Sequence, residues 1–315
     1  MIGYILRRIL QAVVVLVVVT ILVFLLTHLI PGGEAREALG PRASPASIAQ
    51  FNRINGLDLP LWEQYWQLVD GYVHFRFGYS FKLNEPVGTL LANRMPKTLL
   101  LVGLATLIAI IVAIPLGVFQ SVRRNKASDH ILSALSLVAY SMPSFYIGPI
   151  LILYFAIDLH WFSYEAPQGQ TVGAIISDPR ALFLPLITLA LVSIAAFSRF
   201  MRSSMMDELN EDYGRTALAK GAGRNRLLYG HALRNALLPL VTMVGLSLPN
   251  IVGGAFITES VFNYPGMGLL GVDAIFQDDV PTLIGTVVVA TLATVIGSLL
   301  ADVIYSLLDP RIRYS

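Results

Sequence analysis

Six uncharged stretches, each long enough to cross a lipid bilayer, fix what this chain can fold into: residues 9–30, 99–122, 131–157, 181–198, 236–258 and 281–301. A helix needs about 20 apolar residues to span the hydrocarbon core, with roughly 17–25 as the usual range. Residues 181–198 sit at the lower limit and contain Pro185. They are kept as a span because dropping them would put the charged segment that follows and the C-terminus on opposite sides. The first stretch exceeds the roughly 7–15-residue apolar core of a secretory signal, and no clear small-residue cleavage site follows it, so a retained span is expected. Charged residues are only 13% of the chain, against about 25% in soluble domains. The expected fold class is therefore an all-α integral membrane protein with six transmembrane helices.

Lys and Arg placement sets the expected orientation. With the N-terminus inside, 14 basic residues fall on the cytoplasmic side: Arg7, Arg8, Arg123, Arg124, Lys126, Arg199, Arg202, Arg215, Lys220, Arg224, Arg226, Arg234, Arg311 and Arg313. Eight fall outside: Arg36, Arg42, Arg53, Arg76, Lys82, Arg94, Lys97 and Arg180. Seven of those eight lie in one long loop, where the rule weakens, and the last external loop has none. Both termini are expected in the cytoplasm.

Between two apolar stretches, residues 203–235 carry nine charges: Asp207, Glu208, Glu211, Asp212, Arg215, Lys220, Arg224, Arg226 and Arg234. Each would cost roughly 2.5–3.5 kcal/mol at a bilayer centre, so the segment lies outside the lipid. It is nonetheless patterned. Met206, Leu209, Tyr213 and Ala217 recur at helical spacing, Gly221 and Gly223 offer a C-terminal cap and turn, and a second helical run starts near Asn225. A helix–glycine–helix hairpin beside a membrane has the shape of a docking element.

The long external segment, residues 31–97, opens on the helix stop Pro31-Gly32-Gly33. Around residues 61–75 it turns amphipathic, with Trp62, Tyr65, Trp66, Val69, Tyr72 and Val73 on the apolar side, followed by Phe77, Tyr79 and Phe81. Two readings stand: a helix lying in the membrane interface, where Trp and Tyr rings sit well, or a surface that receives a partner or substrate.

Motifs of catalysis are missing. There is no G-x-x-x-x-G-K-[ST] loop to cradle ATP phosphates, no H-E-x-x-H and no G-x-S-x-G elbow. The five histidines are scattered, and cysteine is absent, so no thiolate metal site or cysteine nucleophile is available. A net charge of +2 gives no case for nucleic acid. No charge stands at mid-membrane to serve as a proton relay, and Asp302 lies close to the cytoplasmic Arg311. No catalytic, cofactor or metal site is expected in this chain, and a transporter so built must borrow its energy.

The hairpin resembles the coupling loop of ABC-type inner-membrane permeases, in the dipeptide/oligopeptide importer branch. That family docks its ATPase through a Glu-Ala-Ala, three-residue, Gly motif; Arg215-Thr216-Ala217 and Gly221 occupy those places, followed by Ala222 and Gly223 and preceded by Ala219-Lys220. The peptide branch commonly reads Arg-Thr-Ala and then Ala-Lys-Gly, as this chain does. The closing Leu-Pro pair stands late, at Leu238-Pro239. The likeness runs along nearly the whole chain: Tyr4-Ile5-Leu6-Arg7-Arg8-Ile9, Asn55-Gly56-Leu57-Asp58, Phe77-Gly78-Tyr79-Ser80, Tyr140-Ser141-Met142-Pro143-Ser144-Phe145, Glu259-Ser260-Val261-Phe262 with Tyr264-Pro265-Gly266-Met267-Gly268, and Leu308-Asp309-Pro310-Arg311. One departure is Pro31-Gly32-Gly33-Glu34, where the family usually has an aspartate after the first glycine.

The resemblance implies a type I importer permease in the bacterial plasma membrane. Residues 1–30 would form the first span, 31–97 an external loop, and 98–315 a five-helix core with the coupling hairpin at 203–235. Its partners would be a second, homologous permease subunit, two ATP-binding subunits that hold ATP and Mg, an external substrate-binding protein, a peptide substrate and the lipid bilayer. The ATPase interface would fall on Arg215, Thr216, Ala217, Lys220, Gly221, Ala222 and Gly223. Breaks within spans at Ser141 and Pro143, and at Pro249, Asn250, Gly253 and Gly254, mark residues that would line a path. Same-branch permeases for chelated nickel or glutathione, and an ion-coupled secondary transporter, are the competing readings.

The topology is checked by reporter fusions. Fusions after Arg124, at Gly223 and after Arg313 should report cytoplasm, and fusions near Glu63 and Asp278 the outside. An external Gly223 would overturn both the topology and the docking role of the hairpin.

Overall fold

The computed structural model describes residues 2–28, 33–40, 42–214 and 223–308. Helices dominate them. The first is α1 (Ile2–His28), followed by the short α2 (Gly33–Leu39), α3 (Pro45–Ile54) and α4 (Leu61–Val73). Ser44 caps α3 by accepting from the Ser47 N–H, and Pro45 occupies the first turn, where its missing donor costs nothing. Two short antiparallel strands, β1 (Tyr79–Ser80) and β2 (Glu85–Pro86), pair Tyr79 with Pro86 and Ser80 with Glu85.

The long α5 (Val87–Val122) leads into α6 (Ala127–Ser141) and α7 (Ser144–Leu151), which continues as a π-helical run over Ile152–Asp158. After α8 (Val172–Ile176), Asp178 caps α9 (Pro179–Asn210) by accepting from the Ala181 N–H at 3.1 Å. A π-helical turn, Arg226–Ala232, then opens α10 (Leu233–Val261); α11 (Met267–Phe276) and α12 (Val280–Leu308) complete the order.

Among the described residues, four helices are long and apolar enough to cross a membrane, over Leu6–Leu26, Val87–Val122, Pro179–Asn210 and Val280–Leu299. The expected span at 131–157 is not straight. It is the pair α6 and α7, bent by 110° and counting as a fifth span only if the two are taken together. Pro143 explains the break: it brings no N–H and disfavours helical backbone at the residue before it. Met142 accordingly adopts φ −79°, ψ 126°. The expected span at 236–258 lies within α10, and its side chains at 246–254 are outside the described residues.

The chain divides into two compact units. One comprises Ile2–Pro96 with Gly266–Val295. Its apolar clusters join Val87, Leu90 and Leu91 to Met267, Leu270 and Val289, and Val23 to Ile284 and Val288. A buried polar latch also holds it: Ser80 donates to Asp279 Oδ2 at 2.5 Å, while Asp279 Oδ1 accepts the Thr282 N–H at the start of α12.

The other unit comprises Lys97–Pro265 and the C-terminal residues from Ile296. One of its clusters gathers Leu101, Val102 and Ala105 of α5, Leu184, Leu189 and Ala190 of α9, and Ala255, Phe262 and Tyr264. The second gathers Ala109, Ala113 and Val118 of α5, Phe197, Met201 and Met205 of α9, and Leu228, Ala232, Ala236 and Leu240. On α5 the contact is a stripe of small residues one turn apart: Ala105, Ala109, Ala113 and Gly117, all buried. Tails of lipid are as apolar as Leu, so helices meet in a bilayer by close approach of such residues.

At Gly117 the approach has no slack. A Cβ there would lie 2.6 Å from the Met201 Cβ and 2.9 Å from the Arg202 backbone nitrogen. Gly117→Ala should therefore push α5 from α9 and cost about 1–3 kcal/mol by overpacking, read from denaturation in mixed micelles. Gly103→Ala, where a Cβ meets nothing within 4 Å, should cost nothing.

Candidate functional site

The hairpin that the sequence marks as a docking element grows from α9 and returns through the π-helical turn into α10. Of the residues expected at the ATPase interface, Arg215, Thr216, Ala217, Lys220, Gly221 and Ala222 lie outside the described residues. Gly223 is described; it is exposed, and a Cβ on it would meet nothing within 4 Å. What the structure describes is the chain on either side, the end of α9 and the start of α10, and what supports it.

The first support is a charge clamp. Arg202 donates from Nε to Asp129 Oδ1 and from Nη2 to Asp129 Oδ2, each at 2.7 Å, tying the last turns of α9 to the first turn of α6. Two parallel donors on one carboxylate fix orientation as well as distance. Asp129 is only 1% exposed, while Arg202 keeps 25% of its side chain accessible. Removing such a carboxylate from water needs several partners. Asp129 has them: the Asn125 N–H donates to Oδ2 at 3.0 Å and the Ser133 hydroxyl to Oδ1 at 3.4 Å. The Asn125 donor points inward because Asn125 takes φ 62°, a left-handed conformation that asparagine tolerates better than most residues. One turn before Arg202, the Arg199 guanidinium lies 5.4 Å from the Tyr140 ring centroid, a second bond between α9 and α6.

The second support closes the base of the hairpin. Glu208, in the last turn of α9, accepts from the Tyr213 hydroxyl and, at 3.2 Å, from Asn235 Nδ2 at the start of α10. Burial pushes the Tyr213 hydroxyl up to about 12, and the bond to Glu208 adds to that, so the phenol stays a donor at any physiological pH. Between α5 and the π-helical turn, an open cavity of about 570 Å³ is lined by Pro115, Phe119, Arg123, Arg224, Asn225 and Tyr229 among others. Arg123 stacks 4.4 Å over the Phe119 ring.

A separate buried junction ends α10. Thr98 donates to Glu259 Oε1 at 2.6 Å, and Glu259 is fully buried. Tyr264 donates to the Lys97 carbonyl at 2.8 Å, and its own N–H returns to the Glu259 carbonyl at 2.7 Å. Burial and the nearby Glu259 raise the Tyr264 hydroxyl above its ordinary range. The Ala166 N–H donates to the Phe262 carbonyl at 2.8 Å, and Gln168 Nε2 to the Asn263 carbonyl at 2.8 Å, fastening the 163–168 loop to the same corner.

The residues expected to line a path fall on three helices, and that role remains a proposal. Ser141 ends α6 and Pro143 caps α7, both exposed. Pro249, Asn250, Gly253 and Gly254 lie on α10, with side chains outside the described residues. Sequence reasoning missed Asp129, Arg202, Glu208 and Glu259 as partners. A usable signal existed: Asp129 stands just before one apolar run, Arg202 just after another, and charges at such edges seek each other.

Comparisons with known proteins agree along the full length. Residues 88–314 match the family model described as "Binding-protein-dependent transport system inner membrane component", and residues 1–102 match its N-terminal counterpart. The chain is 37% identical over 316 residues to the oligopeptide transport system permease protein AppB of Bacillus subtilis, covering 100% of both chains. It is 38% identical over 311 residues to the probable peptide ABC transporter permease protein y4tP of Sinorhizobium fredii, covering 99% of each. It is 36% identical over 315 residues to the glutathione transport system permease protein GsiC of Salmonella typhi, covering 100% of both.

The clamp makes a measurable demand. Asp129→Asn or Arg202→Met alone should cost about 2–4 kcal/mol, below the full buried-pair range because Arg202 is part exposed. The double variant should cost less than the sum, leaving a coupling energy of about 1–3 kcal/mol in a micelle-denaturation cycle. Strict additivity would mean that the pair carries no load.

Proposed function

The chain belongs to the family of binding-protein-dependent transport system inner-membrane components, and we propose that within it the chain is a permease subunit for di- and oligopeptides. It is a multi-pass protein of the bacterial plasma membrane. In this reading six helices cross the membrane, both termini are cytoplasmic, and the chain forms half of a translocation path with a second, related permease. Two ATP-binding subunits supply the energy from ATP and Mg, and an external binding protein delivers cargo.

The observation that carries the reading is the braced hairpin between α9 and α10. A docking element transmits force only if its base is stiff. The Asp129–Arg202 clamp holds α9 to α6, and Glu208 closes the hairpin's base on Tyr213 and Asn235. The cluster of Met201, Met205, Leu228 and Ala232 packs both arms against α5. Movement of an ATPase against Arg215–Gly223 would thus shift whole helices rather than bend a loop, biasing two packings of the bundle. Small residues at Ala217, Ala219, Gly221, Ala222 and Gly223 let a partner come close to the backbone. Peptide cargo follows from the two relatives named for oligopeptides and peptides. The relative named for glutathione supports a second reading, in which the cargo is a short modified peptide.

Bulk added at the docking face should collide with the ATPase and leave the bundle intact. Ala217→Trp or Gly221→Trp should weaken ATPase co-purification or uncouple hydrolysis from peptide uptake, while the chain still inserts. Arg215→Glu should act in the same direction but less completely, because an exposed ion pair contributes only about 0–1 kcal/mol. Leu132→Trp, on the neighbouring turn, is the control and should disturb docking less. Normal uptake and normal co-purification in both tryptophan variants would defeat the coupling role.

A further inference from the structure

The external helix α4 has three faces, and only two are accounted for by protein and water. At roughly 100° per residue, Leu61, Tyr65, Leu68 and Tyr72 share the first face. This face meets α1: Tyr65 and Thr20 share a hydroxyl hydrogen bond of 3.1 Å, the Tyr65 ring meets Phe24 edge-on at 5.6 Å, and Tyr72 packs on the Val23 cluster. Next to it, the Gln64 amide bonds His28 at 3.2 Å. The opposite face carries Glu63, Gln67 and Asp70, the last paired with Arg76 at 2.6 Å. Between them runs a third stripe of Trp62, Trp66, Val69 and Val73. Trp62 is 64% exposed, Trp66 62% and Val73 69%. No charged or amide side chain interrupts it.

We infer that this stripe is inserted into the lipid, so that α4 is an interfacial membrane helix and its two tryptophans set the depth of the external segment. The contact with α1 supplies the depth. Only 11% of the Leu6–Leu26 stretch is buried within the protein, and Leu22, Leu25 and Leu26 expose more than half of their surface on its last turns. The stripe continues that lipid-facing surface. Thr20 lies eight residues before the end of α1 at His28, which at 1.5 Å per residue is about 12 Å down the helix. A helix bonded at that level cannot hold its apolar side in open water. Its acidic face points away from the bilayer, and its tryptophans occupy the amphipathic boundary where indole rings gather. A partner protein covering the stripe is the alternative, and the experiment separates it.

The chain has no cysteine, so single spin labels need no background removal. In the full chain, assembled with cysteine-free partner subunits in bilayer nanodiscs, labels at Trp62→Cys, Trp66→Cys and Val73→Cys should collide several-fold more with oxygen than with a water-soluble nickel chelate. Labels at Glu63→Cys and Gln67→Cys should show the reverse. Strong nickel collision on the stripe means water, and weak collision with both reagents means a protein cover; either overturns the inference. A check without labels uses Trp161→Phe, which leaves Trp62 and Trp66 as the only tryptophans of the chain. In vesicles of brominated phosphatidylcholine the emission of this variant should be strongly quenched, and unquenched emission would be equally fatal.

Discussion

Close approach of helices through small side chains is the constraint on which the rest depends. In water a bundle is gathered by burying apolar faces; in lipid both sides of a helix are equally apolar and that force is gone. Ala105, Ala109, Ala113 and Gly117 replace it with contact, because a smooth ridge on α5 lets α9 come within van der Waals reach. Both apolar clusters of that unit rest on this ridge. So does the position of α9, and with it the site from which the charged hairpin leaves. Larger residues would be at least as hydrophobic and would still loosen the bundle.

Polar bonds then do what packing cannot, which is to fix register. Asp129 and Arg202 sit where α6 begins and α9 leaves its apolar stretch, deep enough to be desolvated and close enough to water to be paired without a full Born cost. At the end of α10, Glu259 and Thr98 do the same, with Tyr264 threading its hydroxyl back to Lys97. A helix in a bilayer slides along its neighbour at little cost in apolar area. A carboxylate with one fitting donor stops that slide.

Much of this was legible in the sequence, for identifiable reasons. Uncharged length marked the four long apolar helices and the stretch that folds as the bent pair, since a charge in hydrocarbon is costly. Pro143 marked a break because its ring enforces one. The hairpin stood out because charge and glycine interrupt apolar sequence there. The small-residue ridge went unread because a search for apolar against polar faces returns nothing inside a bilayer. The 110° bend was also hidden: proline announces that a helix breaks, while the direction of the next segment depends on what it packs against. The Asp129–Arg202 pair spans 73 positions, and only the fold brings its members together.

In the proposed reading, how a docking event at one end would reach the other follows from the same packing. Ile194, partly buried near the middle of α9, packs against both apolar clusters of its unit. The cluster that holds Leu228 and Ala232 and the cluster beside Glu259 are therefore built on the same three helices, α5, α9 and α10. Well-packed interiors do not deform continuously; they switch between arrangements. A push on the hairpin would tilt α9 and α10 as rods, and the Glu259–Tyr264 corner would have to follow or break its buried bonds. Pairing those bonds internally, at Thr98, Lys97 and the 163–168 loop, makes following the cheaper outcome.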